Sequence, residues 1–130
     1  MKAIVIDDSR TMRRIIGSAL SQLGYDIFEA EHGVAALQLL EEHPDTALCT
    51  IDWNMPVMDG LTFVQEVRAA RKWRATTLMM VTTESEHGQI VRALAAGAHE
   101  YLIKPFTPEA IMQKLDLLGI LPQTTVEKLA

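Results

Sequence analysis

The sequence predicts an α/β fold in which a doubly wound, five-stranded parallel sheet lies between helices on both faces. Short aliphatic runs alternate with longer segments whose apolar residues recur at helical spacing. The short runs contain few polar residues, which is typical of parallel strands that are buried on both faces. Strict alternation of strands and helices favours right-handed crossovers, and therefore a sheet covered on both sides.

The first strand–helix unit has clear boundaries. Residues 3–6 are an uninterrupted aliphatic run and predict the first strand. Apolar residues then recur at helical spacing from Met12 to Leu23. Ser9 is suited to the N-cap of this helix and Gly24 to its C-terminal end, because these residue types favour those positions.

The second and third units follow without an intervening linker. A strand is predicted over residues 25–30 and a helix over residues 34–42. The helix ends before Pro44, since proline cannot donate the next backbone hydrogen bond. Residues 47–51 predict the third strand, and apolar positions three residues apart predict a helix through residues 61–67.

The last two units complete the alternation. Residues 78–81 predict the fourth strand, and apolar residues within 90–94 predict a helix that stops at Gly97. Residues 101–103 form a short fifth strand. A threonine N-cap followed by proline then begins a helix over residues 107–118.

Length and charge limit the organisation of the chain. Its 130 residues suit one domain, which we assign to residues 1–119, with residues 120–130 as a C-terminal extension that is either flexible or the start of a linker. The formal net charge of -5 disfavours attraction to nucleic acid phosphates or an anionic membrane surface. We therefore expect no direct nucleic-acid partner and no membrane insertion.

The cysteine content and the N-terminus indicate a cytoplasmic protein. Cys49 is the only cysteine and lies in an apolar run, so we expect a buried thiol and no intrachain disulfide. The first residues lack the basic segment and long apolar core of a signal peptide. No stretch approaches the length of a membrane span.

Five polar side chains follow or end the predicted strands: Asp7, Asp8, Asp52, Thr82 and Lys104. The carboxyl ends of parallel strands meet at one edge of the sheet, where doubly wound folds bind their ligands. Three carboxylates at one edge repel one another unless a cation lies among them. Mg²⁺ prefers oxygen ligands and keeps several waters, so the set predicts a magnesium site.

Each of these residues also has a simpler explanation when it is taken alone. Asp7 and Asp8 could favour the positive end of the first helix, and Asp52 could be a turn residue. Thr82 could be an ordinary strand residue and Lys104 an exposed lysine. Their joint occurrence at successive strand ends is what favours a functional site.

Zinc is a poorer interpretation of the same residues. The histidines form no close ligand pair with one another or with Cys49. We expect surface or structural roles for all of them, namely His32, His43, His87 and His99.

With a magnesium ion bound, the predicted site can take up a phosphoryl group. Asp52 can act as the nucleophile, while the ion and the ammonium group of Lys104 neutralise charge on the transferred oxygens. Thr82 can then donate a hydrogen bond to the product.

Several short motifs together resemble one family, the bacterial response-regulator receiver domains. The motifs are Ile6-Asp7-Asp8, Asp52-Trp53-Asn54-Met55-Pro56, Met58-Asp59-Gly60, Val81-Thr82, Ala96-Gly97-Ala98 and Lys104-Pro105-Phe106. The stretch Thr11-Met12-Arg13-Arg14-Ile15 further resembles the stand-alone chemotaxis members of that family. The resemblance implies the strand order 2-1-3-4-5 of the flavodoxin-like receiver fold.

The resemblance also implies a metal site and a modification site. Asp52 is then the phospho-acceptor. Mg²⁺ is held by Asp8, Asp52 and the backbone carbonyl of Asn54, with Asp7 acting through a water molecule. Asn54 and Glu84 are positions that tune the lifetime of the phosphoryl group, and here they match the chemotaxis pattern.

A switch mechanism follows from the same resemblance. Thr82 shifts toward the phosphoryl group, Tyr101 fills the vacated space, and the face formed by the fourth helix, fifth strand and fifth helix changes. Lys104 is aimed into the site by a cis Lys104–Pro105 bond. The partner face is implied at His87, Ile90, Tyr101 and Lys114.

The implied partners are those of two-component signal transduction. A histidine kinase donates the phosphoryl group, a protein target such as the flagellar motor switch receives the signal, and a phosphatase is a further candidate partner. We expect a monomer that catalyses only its own phosphoryl uptake and loss. Three departures from the family pattern bear on partner identity and site access: Thr83 after the switch threonine, His87 in place of a lysine, and the C-terminal extension.

Two alternatives remain open at the level of sequence. The chain could be the receiver of a larger regulator or a phosphorelay component. A haloacid-dehalogenase-type phosphatase is remote, because its nucleophile belongs in an Asp-x-Asp pattern whereas Asp7 and Asp8 are adjacent. A flavodoxin is disfavoured because the same pair would repel the cofactor phosphate.

Overall fold

The computed structural model describes residues 1–83 and 87–122. The strands are β1 (Lys2–Ile6), β2 (Asp26–Ala30), β3 (Leu48–Asp52), β4 (Thr77–Thr83) and β5 (Glu100–Lys104). The helices are α1 (Arg10–Gln22), α2 (Gly33–Glu42), α3 (Gly60–Ala70), α4 (His87–Ala96) and α5 (Pro108–Leu117). The strands form one parallel sheet in the order β2-β1-β3-β4-β5, which confirms the predicted fold class and strand order.

The helix caps explain why most predicted helix boundaries were close. Ser9 and Thr107 are N-caps, as predicted, and each side-chain oxygen accepts a hydrogen bond from the backbone N–H three residues later. Gly24, just after α1, has a φ of 101°, a conformation that favours glycine. His32 and Asp59 cap α2 and α3 in the same way and were not predicted.

The sheet separates two apolar layers, because alternate residues of a strand point to opposite faces. On one face Cys49 and Ile51 of β3 pack with α2, α3 and α4. On the other face Leu48 of the same strand packs with α1 and α5. Leu48 and Ile51 are fully buried, and each such side chain stabilises the fold by roughly 1.5–3 kcal/mol.

The predicted burial of Cys49 is confirmed, whereas the apolar residues that marked α4 are only partly buried. The Cys49 thiol is fully buried, as predicted, and burial raises its pKa to about 12. In α4, however, Val91 is 59% exposed and Leu94 is 37% exposed, whereas Ile90 is buried. The apolar spacing therefore located α4 correctly, but only part of it marks a buried face.

Arg68 ties together the amino-terminal edge of the sheet. Its guanidinium donates hydrogen bonds to the carbonyl oxygens of Gly97 (3.1 Å) and Thr76 (3.3 Å) and lies 3.2 Å from a ring nitrogen of His99. Nδ1 of His99 accepts a hydrogen bond from the backbone N–H of Leu78. Burial, and then the nearby guanidinium, lowers the pKa of His99. The C-terminal end of α4 is thereby joined to α3.

The first residues of the predicted C-terminal extension contact the core. Ile120 and Leu121 pack against the α1 and α5 layer, and the hydroxyl of Tyr25 donates a hydrogen bond to the carbonyl of Ile120. Residues 123–130 lie outside the described part of the chain. The boundary between residues 119 and 120 therefore stays a prediction.

The loop between β3 and α3 contains a strained residue. Val57 has a φ of 67° and is 76% exposed. A left-handed conformation costs an L-residue roughly 1–2 kcal/mol, and asparagine tolerates it better than a β-branched residue. We predict that Val57→Asn raises the free energy of unfolding by about 1 kcal/mol in urea denaturation. Val91→Asn, at an exposed valine within α4, is the matched control and should change stability little; an equal gain there would contradict the strain argument.

A second stability prediction concerns the core of β3. The hydroxyl of Thr50 is buried and has no hydrogen-bond partner within residues 1–83 and 87–122. An unpaired buried hydroxyl costs roughly 1–3 kcal/mol, so Thr50→Val should raise the free energy of unfolding. Thr46→Val is the contrasting control, because its buried hydroxyl donates a 2.7 Å hydrogen bond to the carbonyl of His43. That change should be destabilising, and the same sign for both would count against the assignment.

Candidate functional site

Four chain segments place polar side chains at the carboxyl edge of the sheet. Asp7 and Asp8 directly follow β1, and Asp52 is the last residue of β3. Lys104 is the last residue of β5 and lies beside Thr83 of β4 in the register. The sheet order sets β1, β3, β4 and β5 side by side, so residues far apart in the sequence meet there.

The three carboxylates form one cluster. One carboxylate oxygen from each of Asp7, Asp8 and Asp52 lies within 4.8 Å of the others. The ammonium Nζ of Lys104 lies 3.4 Å from Oδ2 of Asp7 and 3.6 Å from Oδ1 of Asp52. Three of these side chains are largely buried, with 2% of Asp7, 13% of Asp52 and 20% of Lys104 exposed, whereas Asp8 is exposed. Water therefore screens the charges of Asp7, Asp52 and Lys104 only weakly.

The environment of Asp52 opposes its negative charge. Burial is the largest effect and the neighbouring Asp7 carboxylate is the next, and together they raise the pKa of Asp52 to about 6. Lys104 acts in the opposite direction, and Asp8 adds a smaller repulsion. At neutral pH Asp52 is still mainly a carboxylate, but one that a cation would stabilise.

Asp7 is held in place through both its backbone and its side chain. Its N–H donates to the carbonyl of Ala30 at 3.1 Å, and its carbonyl accepts a 2.8 Å hydrogen bond from Nη1 of Arg13. Its Oδ1 accepts from the backbone N–H of Ser9 at 2.9 Å. The loop that carries two of the three carboxylates is thus tied to β2 and α1.

The cluster has the chemistry of a hard-cation site. Mg²⁺ binds oxygen ligands at about 2.0–2.1 Å in an octahedron, so opposite ligands lie roughly 4 Å apart. The mutual separation of the carboxylate oxygens is compatible with that arrangement. Within residues 1–83 and 87–122, no other group of three or more histidine, cysteine, aspartate or glutamate side chains is placed to hold a metal.

The described histidine side chains make local structural contacts. His32 caps α2 through Nδ1, and the ring of His43 lies on Phe28 with the centroids 4.1 Å apart. His99 accepts the hydrogen bond from Leu78 described above. The side chain of His87 lies outside the described part of the structure.

The loop after β3 shapes the floor of the site. The N–H of Gly60 donates to the carbonyl of Trp53 at 2.9 Å, and a β carbon at Gly60 would lie only 2.5 Å from the Asp52 carbonyl oxygen. Only glycine therefore lets α3 begin so close to β3. Asn54 lies exposed in this loop, and Trp53 is buried next to Asp52.

The predicted switch residues lie on adjacent strands. Thr82 is buried in β4, and Tyr101 of β5 is half-buried against the α2, α3 and α4 layer. Nζ of Lys114 lies 4.5 Å from the Tyr101 ring centroid and 3.1 Å from a Glu100 carboxylate oxygen. The Lys104–Pro105 peptide bond is cis, as the resemblance implied.

Three predicted positions, Glu84, His87 and Ile90, are not placed on the surface of the described structure. Glu84 lies outside the described residues, as does the His87 side chain. Ile90 is only 2% exposed, so in this conformation its side chain belongs to the interior. The exposed apolar surface of α4 is formed by Val91 and Leu94.

Sequence reasoning missed the groups that hold the site in position. Arg13 is 8% exposed and bonded to the Asp7 carbonyl, yet it did not enter the predicted site. A signal was available, because Arg13 lies on the same buried helical face as Ile16, Gly17 and Leu20. A charged residue on such a face indicates a buried polar partner.

The geometry agrees with the comparisons with known proteins. The family model of the response regulator receiver domain matches residues 3–116, and the chain belongs to that family. It is 47% identical over 119 residues to chemotaxis protein CheY1 of Helicobacter pylori, covering 91% of this chain and 96% of that protein. It is 49% identical over 121 residues to a CheY homolog of Campylobacter jejuni, covering 92% and 93%. The resemblance to chemotaxis receivers is therefore confirmed.

Solved structures share the same architecture. CheY4 of Vibrio cholerae aligns with a TM-score of 0.81 at 33% identity, covering 89% of this chain and 96% of that chain. A two-component system response regulator/GGDEF domain protein aligns with a TM-score of 0.86 at 31% identity, covering 95% of this chain but 51% of that chain. Across the described residues, no helix is long and apolar enough to cross a membrane.

The carboxylate repulsion makes a prediction about pH and stability. The pKa of Asp52 is about 6 in the folded protein against an ordinary value of 3.8. The folded state therefore binds this proton more tightly than the unfolded chain. Its contribution to the free energy of unfolding is full below about pH 4 and is lost as the pH rises through about 6.

Asp52→Asn removes this titration. Without magnesium it should raise the free energy of unfolding by about 1–2 kcal/mol at pH 7, and by much less at pH 4. Urea denaturation at both pH values measures the difference. Asp45→Asn is the control, because Asp45 is exposed and paired with Lys2, which lowers its pKa. A gain for Asp52→Asn that is the same at both pH values would contradict the electrostatic explanation.

Proposed function

We propose that this protein is a phosphorylation-gated signalling switch of two-component signal transduction. Asp52 takes a phosphoryl group from a histidine kinase in a magnesium-dependent reaction. The phosphorylated state then changes the face formed by α4, β5 and α5, which binds a protein partner in chemotaxis or flagellar motor control. The observation that carries the proposal is the carboxylate cluster with Lys104 at the carboxyl edge of the sheet.

The residues at this edge suit magnesium. Asp8, Asp52 and the backbone carbonyl of Asn54 would hold the ion, and Asp7 would contact it through a water molecule. The convergence of the three carboxylates and the raised pKa of Asp52 are the observations that favour a cation here. When bound, the ion supplies positive charge that offsets the negative charge of the incoming phosphoryl oxygens.

In this proposal Asp52 is the nucleophile. A carboxylate oxygen of Asp52 forms a bond to phosphorus while the bond between phosphorus and the donor histidine nitrogen breaks, and that nitrogen keeps the electron pair. The ammonium of Lys104 would stabilise the oxygens of the group in transfer, and its distance of 3.6 Å from Oδ1 of Asp52 supports this role. Water later cleaves the acyl phosphate, so the protein turns over only its own modification.

The signal would travel from Asp52 to the partner face through two strands. The Thr82 hydroxyl moves to donate a hydrogen bond to the phosphoryl group, and Tyr101 occupies the space that it leaves. The contact between the Lys114 ammonium and the Tyr101 ring links this movement to α5. Phosphorylation shifts the population only as far as the active conformation binds the phosphoryl group better.

The partner and the lifetime of the signal follow from the same assignment. Relatives at 47–49% identity are chemotaxis proteins, which supports a flagellar motor target for the face that includes His87, Ile90, Tyr101 and Lys114. Because Ile90 is buried here, Val91 and Leu94 supply the apolar contact area of α4.

Asn54 and Glu84 set a short phosphoryl lifetime, which a phosphatase shortens further. We propose a cytoplasmic monomer.

A second candidate is the receiver of a larger regulator or a phosphorelay component. The match to about half of a response regulator/GGDEF domain protein supports it, since the same fold serves there beside another domain. Because the chain belongs to the receiver-domain family, the haloacid-dehalogenase-type phosphatase and flavodoxin alternatives are set aside. The phosphorylation chemistry is the same for both remaining candidates, which differ only in output.

The phospho-acceptor assignment predicts a change in mass. Incubation with acetyl phosphate and magnesium should add one phosphoryl group to the natural protein, and none without magnesium, as measured by intact-mass spectrometry. Asp52→Asn should remain unmodified, whereas Asp45→Asn, at an exposed ion-paired carboxylate, should be modified normally. Undiminished modification of Asp52→Asn would refute the assignment. So would a natural protein that takes no phosphoryl group from either acetyl phosphate or a phosphorylated histidine kinase.

A further inference from the structure

Arg13 is a buried cation that the phosphorylation chemistry does not use. It lies on the inner face of α1 and is 8% exposed. Burial of a guanidinium is costly unless its N–H groups find partners. Nη1 of Arg13 donates to the Asp7 carbonyl at 2.8 Å, and Nε donates to Oε1 of Glu29 at 3.1 Å.

The bond to the Asp7 carbonyl has a consequence for Asp8. The carbonyl of Asp7 and the N–H of Asp8 belong to one rigid, planar peptide group. The Asp7 N–H, which belongs to the preceding peptide group, is held by the Ala30 carbonyl, so the backbone is fixed on the amino-terminal side of Asp7 as well. With the carbonyl held by Arg13 as well, the orientation of the peptide that carries Asp8 is set. The direction in which the Asp8 carboxylate enters the cluster depends on that orientation.

The ion pair with Glu29 has a secondary role. Glu29 lies in β2 and its side chain is 48% exposed, so water screens this pair. The bond to the Asp7 carbonyl is buried and is charge-assisted on the donor side. Glu29 therefore aims the guanidinium, whereas the carbonyl bond is the contact that bears on the carboxylate cluster.

We propose that Arg13 is a positioning residue for the divalent cation. It orients the Asp7–Asp8 peptide so that the Asp8 carboxylate points into the cluster, and it raises Mg²⁺ affinity without touching the ion. This inference rests on the proposed magnesium site. Groups that orient metal ligands typically change metal affinity by about 10- to 100-fold when they are removed.

If Arg13 acted only through its charge, its removal would change the Mg²⁺ affinity in one direction, and if it acts by positioning Asp8, the change has the opposite sign. The inference is therefore testable. Removal of a positive charge near a cation site should by itself tighten Mg²⁺ binding. Loss of the peptide orientation should weaken it. Arg13→Met keeps the apolar stem of the side chain and removes both the charge and the hydrogen bond. Arg14→Met removes the same charge from the next, exposed residue of α1 and is the matched control.

Mg²⁺ affinity is measured by isothermal titration calorimetry and by tryptophan fluorescence, since Trp53 lies beside Asp52. Arg13→Met should raise the Kd about 10-fold or more, whereas Arg14→Met should leave it unchanged or slightly lower. Arg13→Lys keeps the charge but not the guanidinium geometry and should lie between the natural protein and Arg13→Met. Circular dichroism establishes that each variant is folded. If Arg13→Met does not fold, Arg13→Lys alone decides, and an unchanged Kd would overturn the proposal.

The failure of this inference is distinguishable from failure of the proposed function. If the natural protein binds Mg²⁺ and Arg13→Met binds it as tightly as Arg14→Met, Arg13 only anchors α1 and the positioning role is wrong. If the natural protein shows no saturable Mg²⁺ binding, the cation site itself is wrong, and the inference fails with it.

Discussion

The mutual repulsion of three converging carboxylates, two of which are largely shielded from water, is the constraint on which the site depends. Asp7, Asp8 and Asp52 lie together, burial and the neighbouring carboxylates disfavour the charge of Asp52, and the ammonium of Lys104 offsets only part of this effect. Lys104 comes from the last strand of the sheet and the carboxylates from the first and third. The cluster is therefore assembled only when these strands have joined the sheet. The folded protein then retains an electrostatic repulsion that a divalent cation would reduce.

This constraint explains how backbone groups are used near the site. The loop after β1 is held by hydrogen bonds from α1 and to β2, and the loop after β3 packs so closely that Gly60 cannot carry a side chain. Electrostatically unfavourable groups need such rigid support, because relaxation of the loops would separate the charges. The free-energy cost of holding these charges together is offset by many ordinary packing and hydrogen-bonding contacts elsewhere. The net stability of a folded protein nevertheless remains small.

The fold class and the positions of the site residues were predictable from local patterns. Apolar periodicity separated strands from helices, and Ser9 and Thr107 began helices as their side chains favour. The strand order was available only through resemblance, since alternation alone is compatible with several orders. Contacts that depend on tertiary structure were missed. Spacing did not distinguish the exposed Val91 and Leu94 from Ile90, and it did not identify the partner of Arg13.

The Arg68 contacts at the opposite edge of the sheet limit how α4 can respond. Arg68 bonds to the Gly97 carbonyl just after the C-terminal end of α4, and a β carbon at Gly97 would lie only 2.7 Å from the Arg68 side chain. One end of the helix is thus fastened to α3 far from the carboxylates. In the proposed switch, a displacement that begins near Thr82 would therefore rotate α4 about this held end instead of moving the helix along its axis. The C-terminal end of α4 at Arg68 would then move least, and the opposite end of the helix would move most.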